Sequence, residues 1–233
     1  MSWYETQGYI EDPFSTKKGA FTEQSVNLKV PAAELVYNIE AGNMVLVDGP
    51  KGTGKTALLF LAIEKFEGER KVIYFDCSKD KVDIKKLMQK RYGSLGRVFN
   101  LTPRGMVLML DNFKSLSRKE LERAKYYFDN NYLRSIVFAG NGAELPENVR
   151  DRIGNRVIKL KALAAKDAVE LVRNRLGSLD FLPEKIIRKI YAKSRDDAGA
   201  FLEKCKKVCQ TATEGRATVV SEKHLKAIGD KRG

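Results

Sequence analysis

The chain has 233 residues, 43% of them hydrophobic, and carries 43 Lys+Arg against 30 Asp+Glu, a net charge of +13. That length buries a full core in one or two domains, and a field of that sign attracts polyanions, leaving two readings: a nucleic-acid partner or a lysine-rich solvated surface. Three cysteines (Cys77, Cys205, Cys209) and one histidine (His224) exclude a disulfide framework and a zinc site, and no apolar run approaches a membrane span.

The opening Met-Ser-Trp-Tyr-Glu-Thr-Gln lacks the basic-then-apolar order of a signal peptide, so a reducing cytoplasm and no membrane insertion are expected. Residues 1–30 are polar, with turn signals at Asp12-Pro13 and Lys18-Gly19, and read as an arm packed on the domain that follows. Trp3 and Tyr4 either stack on bases or pack within that arm. An apolar stripe of Ala33, Leu35, Val36 and Ile39 predicts a short helix over 31–40. Met44-Val45-Leu46-Val47 predicts a strand, and Ala57 to Ile63 a helix.

Between these lies Gly49-Pro50-Lys51-Gly52-Thr53-Gly54-Lys55-Thr56, which matches G-x-x-x-x-G-K-[ST] without a mismatch in the strand–loop–helix setting that a phosphate-binding loop needs. Glycines let backbone N–H groups wrap a phosphate, Lys55 reaches the β- and γ-phosphates, Thr56 holds Mg²⁺, and Ala57 continues into a helix whose N-terminus favours negative charge. ATP and Mg²⁺ are therefore the expected ligands.

Further on, Val72–Phe75 predicts a strand, Val82–Tyr92 a helix, Met106–Leu110 a strand, Leu116–Phe128 a charged helix, Ser135–Ala139 a strand and Val157–Leu160 a shorter one. Apolar runs without alternation mean strands buried on both faces, and βα alternation means a parallel sheet. After Leu163 only helices are predicted, over about 164–177, 183–194 and 197–213 and from Ser221. The expected class is α/β: a P-loop parallel sheet flanked by helices over 31–162, then a small all-helical lid over 163–233.

Asp111 ends the third strand, the place from which a carboxylate holds the Mg²⁺ shell. Asn141 ends the fourth, where an amide either orients a water against the γ-phosphate or belongs to a Gly-Asn-Gly turn. Arg150, Arg152 and Arg156 precede the last strand. One of them either completes a neighbouring subunit's site or belongs to a solvated basic loop.

These residues resemble the AAA+ ATPases from about residue 31 to 228. Gly49–Thr56 is similar to Walker A, Met106–Asp111 to Walker B and Asn141 to sensor 1. Val149–Ile153 resembles the arginine-finger segment, with Arg152 the better match and Arg150 the second. Leu160–Leu171 is similar to the start of the family's helical lid and Thr218–Leu225 to its last element. Val72–Cys77 and the short lid resemble origin-recognition and initiator-type members. Tyr9-Ile-Glu-Asp-Pro-Phe-Ser15 resembles the opening of secretion-type and transposition-type ATPases and of archaeal relatives. The resemblance implies nucleotide-dependent assembly, commonly on DNA, as a homo-oligomer or with an AAA+ partner through Arg152.

Two positions depart from the family pattern. Asn112 stands where a glutamate usually polarises the attacking water, and an amide cannot accept its proton. Slow hydrolysis is expected, or a base from elsewhere, with Asp76 the candidate, or a nucleotide-gated switch. Arg195 lies a few residues before the usual place of the lid arginine. No winged helix is expected after the lid, so DNA contact would fall to the core or to a basic lid face of Lys185, Arg188, Lys189, Lys193 and Arg195, with Lys204, Lys206 and Lys207 beside it. Three functions follow: a DNA-assembled ATPase, a switch or scaffold that binds ATP and recruits a protein, and a weaker small-molecule kinase.

Overall fold

Met44–Val47 and Met106–Leu110 contain no polar side chain, so as strands they need cover on both faces. The computed structural model, which describes residues 2–66, 72–79, 83–90, 105–142, 145–194 and 196–229, provides that cover. In chain order the first elements are α1 (Trp3–Thr6), α2 (Lys29–Glu40), β1 (Met44–Asp48), α3 (Lys55–Lys65), β2 (Val72–Asp76), α4 (Ile84–Lys90) and β3 (Met106–Asp111). After a 3₁₀ turn at Phe113–Ser115 come α5 (Arg118–Asp129), β4 (Leu133–Gly140), α6 (Glu147–Ile153) and β5 (Val157–Lys159). The remainder is α7 (Ala165–Leu176), α8 (Glu184–Ala192), α9 (Ala198–Glu214) and a 3₁₀ segment, Glu222–Ile228. The predicted ends of α4 at Val82 and Tyr92, and Arg195, lie outside the described residues.

The chain forms two units, one of Lys29–Pro50 and Leu58–Leu160, the other of Met1–Leu28, Lys51–Ala57 and Lys161–Gly233. The first is built on five parallel strands in the order β2-β3-β4-β1-β5. Every residue of β3 is buried. Leu108, Leu110, Ile136 and Phe138 pack with Leu121 and Ala124 of α5 and with Val149 and Ile153 of α6. Helix α6 occupies part of the segment for which a solvated basic loop is one of the two readings. Pro146 precedes its first turn, and Val149 and Ile153, one turn apart, are both buried. The arginines between them are polar-face residues of a helix.

The second unit is helical, and α7, α8 and α9 enclose Leu182, Ile187, Phe201, Cys205 and Cys209. Asp167 caps its own helix, accepting the Ala164 N–H at 3.1 Å. The opening segment, expected to pack on the sheet domain, places Trp3 and Phe14 in this core with their rings stacked 5.6 Å apart. The Tyr9 hydroxyl donates to the Leu176 carbonyl at 2.9 Å. Arg175 Nη1 donates to the carbonyls of Pro13 and Ser15, both at 3.1 Å, and its guanidinium lies 5.2 Å from the Phe21 ring centre. Burial draws that guanidinium down to about 10. No described helix is long and apolar enough to cross a membrane.

Candidate functional site

In a parallel sheet the strands finish at one edge, and the register shows which residues meet there. Asp48 of β1 pairs with Gly140 of β4, Asp111 of β3 with Ala139, and Asp76 of β2 with Asp111. Three carboxylates and the Gly140-Asn141-Gly142 turn thus share the carboxyl edge of the sheet, where open α/β folds bind ligands.

The segment Gly49–Thr56 leaves this edge from β1 and enters α3 at Lys55. Lys55 and Thr56 therefore open the helix, at the positive end of its dipole. Gly52 and Gly54 have φ of 81° and 89°, backbone that L side chains rarely adopt. Pro50, Lys51, Thr53 and Ala57 complete the loop, with Thr53 buried and Lys51 exposed. Gly52 also approaches the start of α9. Its carbonyl accepts the Ala198 N–H at 3.1 Å, and a Cβ there would lie 2.6 Å from the Asp197 backbone. Lys51 Nζ is 3.8 Å from Asp197 Oδ2.

Asp111 is wholly buried. The Tyr74 hydroxyl donates to its Oδ2 at 2.8 Å. Burial first, then the Asp111 charge and hydrogen bond, raise the Tyr74 phenol far above its usual range, so it stays protonated as a donor. The Asp111 carboxylate is a hard oxygen donor, the class that suits Mg²⁺.

Asn112 has φ 54° and ψ 44°, the left-handed region. Its N–H donates to the Ala139 carbonyl at 2.9 Å. Its side-chain Nδ2 donates to Asp76 Oδ1 at 3.0 Å. The same Oδ1 accepts the Ser78 hydroxyl at 2.7 Å and the Ser78 N–H at 3.1 Å. Asn141 is exposed. On one side of it, Gly140 lies against the Phe113 ring, which a Cβ would meet at 2.7 Å. On the other, the Gly142 N–H donates to Asp48 Oδ1 at 3.2 Å.

Arg152 is held within its own unit. Its Nε donates to Asp129 Oδ1 at 3.1 Å and its guanidinium lies 5.0 Å from the Phe128 ring centre, with half the side chain exposed. Arg150 is exposed. Four of the eight basic lid residues pair with acids among the described residues. Lys185 and Lys189 reach Glu222 at 3.2 and 2.7 Å, Arg188 reaches Glu184 at 2.7 Å, and Lys206 reaches Asp12 at 2.8 Å. Lys204 donates to the backbone carbonyl of Lys193. Hydrogen bonds from Lys189 and Lys185 hold the Glu222 carboxyl below the usual range.

The sequence reading named Asp76 and Asn112 separately but did not see their bond, and it missed Tyr74, Ser78 and Asp197. A polar residue at the end of a buried strand is the signal for Asp76. Tyr74, two residues earlier, follows from strand periodicity only once the sheet register is known.

No protein-family model matches the chain. Over 163 residues, 67% of its length, it is 27% identical to the sulfate/thiosulfate import ATP-binding protein CysA of Halalkalibacterium halodurans, and it spans less than half of that protein, 44%. Among solved structures it is similar to Cdc6p of Pyrobaculum aerophilum, with TM-score 0.75 and 14% identity, covering 94% of this chain and 70% of that one. ORC1 of Aeropyrum pernix, solved in complex with DNA, gives TM-score 0.73 and 14% identity, covering 94% of this chain and 68% of that one. The RuvB Holliday junction branch migration motor of Thermotoga maritima gives 0.62 and 19%, covering 87% and 67%.

Proposed function

We propose that this chain, which has the fold of the AAA+ P-loop ATPases, binds ATP with Mg²⁺, hydrolyses it slowly and assembles on nucleic acid in an ATP-dependent way, in replication, repair or a mobile-element process. The observation that carries the reading is the segment Gly49–Thr56, joining β1 to α3 with left-handed glycines at 52 and 54. In this reading the loop and Lys55 bind the phosphates, Thr56 and Asp111 hold Mg²⁺, and Asn141 senses the γ-phosphate. Arg152 acts on a neighbour's nucleotide after releasing Asp129. Mg²⁺, when bound, supplies charge neutralisation at the β- and γ-phosphate oxygens. The net charge of +13 and the DNA-bound state of the similar ORC1 structure support a nucleic-acid partner. In this reading Lys185, Arg188, Lys189 and Lys193 contact the nucleic acid, the first three from exposed ion pairs that a phosphate replaces at little cost.

The test is ATP binding and turnover, with and without duplex DNA, beside Lys55→Ala. Turnover that rises on DNA and vanishes in Lys55→Ala supports the proposal. Full ATP affinity in Lys55→Ala refutes the site.

A second reading is a nucleotide-gated switch that binds ATP, turns it over little and recruits a protein partner. Asn112 favours it, because no carboxylate occupies that position. Tight binding without turnover in either condition selects it.

A further inference from the structure

Two residues beside Asp111 at the sheet edge are bonded to each other. Asp76 ends β2, Asn112 follows β3, and the register Asp76↔Asp111 brings them side by side. The bond between them removes an ambiguity of the asparagine. An amide has one donor end and one acceptor end, and here the donor, Nδ2, is committed to Asp76 Oδ1 at 3.0 Å. The end left to act as an acceptor is the Asn112 carbonyl oxygen. Asp76 is itself held, since Ser78 donates to the same Oδ1 through its hydroxyl at 2.7 Å and its N–H at 3.1 Å. That oxygen thus accepts three hydrogen bonds and is fixed in place. That arrangement suits orientation.

We propose that Asp76 is a positioning residue for ATP hydrolysis: it fixes the Asn112 amide so that the Asn112 carbonyl oxygen accepts a hydrogen bond from the attacking water. The inference rests on the ATPase reading above and deepens it. The water oxygen bonds to the γ-phosphorus, the bond from that phosphorus to the bridging oxygen breaks, and ADP leaves with the electron pair. The water's proton ends on the released phosphate. Phosphoryl transfer draws most of its acceleration from positioning and charge, so a held acceptor supports slow turnover without a side-chain base. Asp76 and Asn112 then function as one unit, and removing either member costs about as much as removing both.

The experiment measures kcat and nucleotide affinity in the full chain, the latter with a fluorescent ATP analogue, for the parent, Asp76→Ala, Asn112→Ala and the double variant. The expected result is a fall in kcat of about tenfold or more in each single variant, no further fall in the double variant, and ATP affinity within about twofold throughout. The exchange variant Asp76→Asn with Asn112→Asp keeps a donor facing an acceptor and recovers turnover, which a variant that merely misfolded would not allow. The inference is overturned if Asp76→Ala keeps the parent's turnover, if the two losses multiply, or if the parent binds ATP and never hydrolyses it. In the last case nucleotide binding stands. A parent chain that binds no ATP overturns the ATPase reading itself.

Discussion

Asn112→Glu separates the backbone's demand at this position from the chemistry of its side chain. Asn112 holds φ 54° and ψ 44°, where asparagine is tolerated and a longer side chain costs about 1 kcal/mol. The change also deletes the 3.0 Å bond to Asp76, a charge-assisted bond taken at about 1 kcal/mol because both groups reach solvent. A second carboxylate beside Asp76, at about 4 Å and in an environment close to water, adds about 1 kcal/mol of repulsion. The sum is about 3 kcal/mol, roughly a hundredfold in the folding equilibrium. Urea unfolding followed by circular dichroism measures it. Fluorescence does not, because Trp3, the chain's one tryptophan, belongs to the helical unit. Asn112→Gly is the control: it adopts the backbone freely and loses only the bond, so about 1 kcal/mol is expected. A glutamate variant within about 0.5 kcal/mol of the parent would refute the reasoning, as would a glycine variant less stable than the glutamate one.

Arg175→Met should lower the urea midpoint of the Trp3 signal by the equivalent of about 2–4 kcal/mol, because a largely buried cation and its bonds to Pro13 and Ser15 are lost. The same variant should open Lys17 and Lys18 to trypsin, and a protected segment would count against the tie. Cys77 is pushed up to about 12, by burial first and then by Asp111 and Asp76, so the unfolded chain gives up this proton earlier than the folded one. The stability from this thiol is therefore complete below about pH 8.5 and lost as pH rises toward 12; denaturation midpoints at pH 7, 9 and 10.5 should show a shallower decline in Cys77→Ala. For Asp129, burial acts to raise the carboxyl and hydrogen bonds from Lys125 and Arg152 outweigh it, so its contribution holds above about pH 4 and fades as pH falls below that. Because Arg152 is half exposed, Asp129→Asn should cost under about 1 kcal/mol at pH 7. Arg152→Ala should leave ATP affinity unchanged while removing any rise of specific turnover with protein concentration.

The strands were legible because β1, β3 and β4 are buried on both faces, which leaves unbroken apolar runs in the sequence. The helical remainder was legible through its 3.6-residue stripes. Helix α6 was not, because three arginines near it dominated the reading, although Val149 and Ile153 carry the spacing of a buried face. The placement of the opening segment was hidden for a different reason. Its partners, Arg175 and Leu176, lie about 160 residues away, and no local pattern encodes such a contact. The lid shows both cases at once. Glu184 and Arg188 are one turn apart and their pairing can be read directly. Glu222, which meets Lys185 and Lys189, comes from a distant element, so those two pairs need the fold. The phosphate loop was legible because its chemistry is local. The Asp76–Asn112 bond needs the strand register, which the sequence does not state.

The join between Gly52 and Ala198 is a main-chain one, a carbonyl and an N–H with no side chain taking part. Ala198, Gly199 and Ala200 add only small groups beside the loop. Ala198 and Ala200 can therefore be exchanged without breaking that main-chain bond, whereas a Cβ at Gly199 would lie 3.3 Å from Asp197 Oδ1. The side chain of Asp197 is the exception, because it caps the helix through the Ala200 N–H and stands against a residue that has to stay glycine.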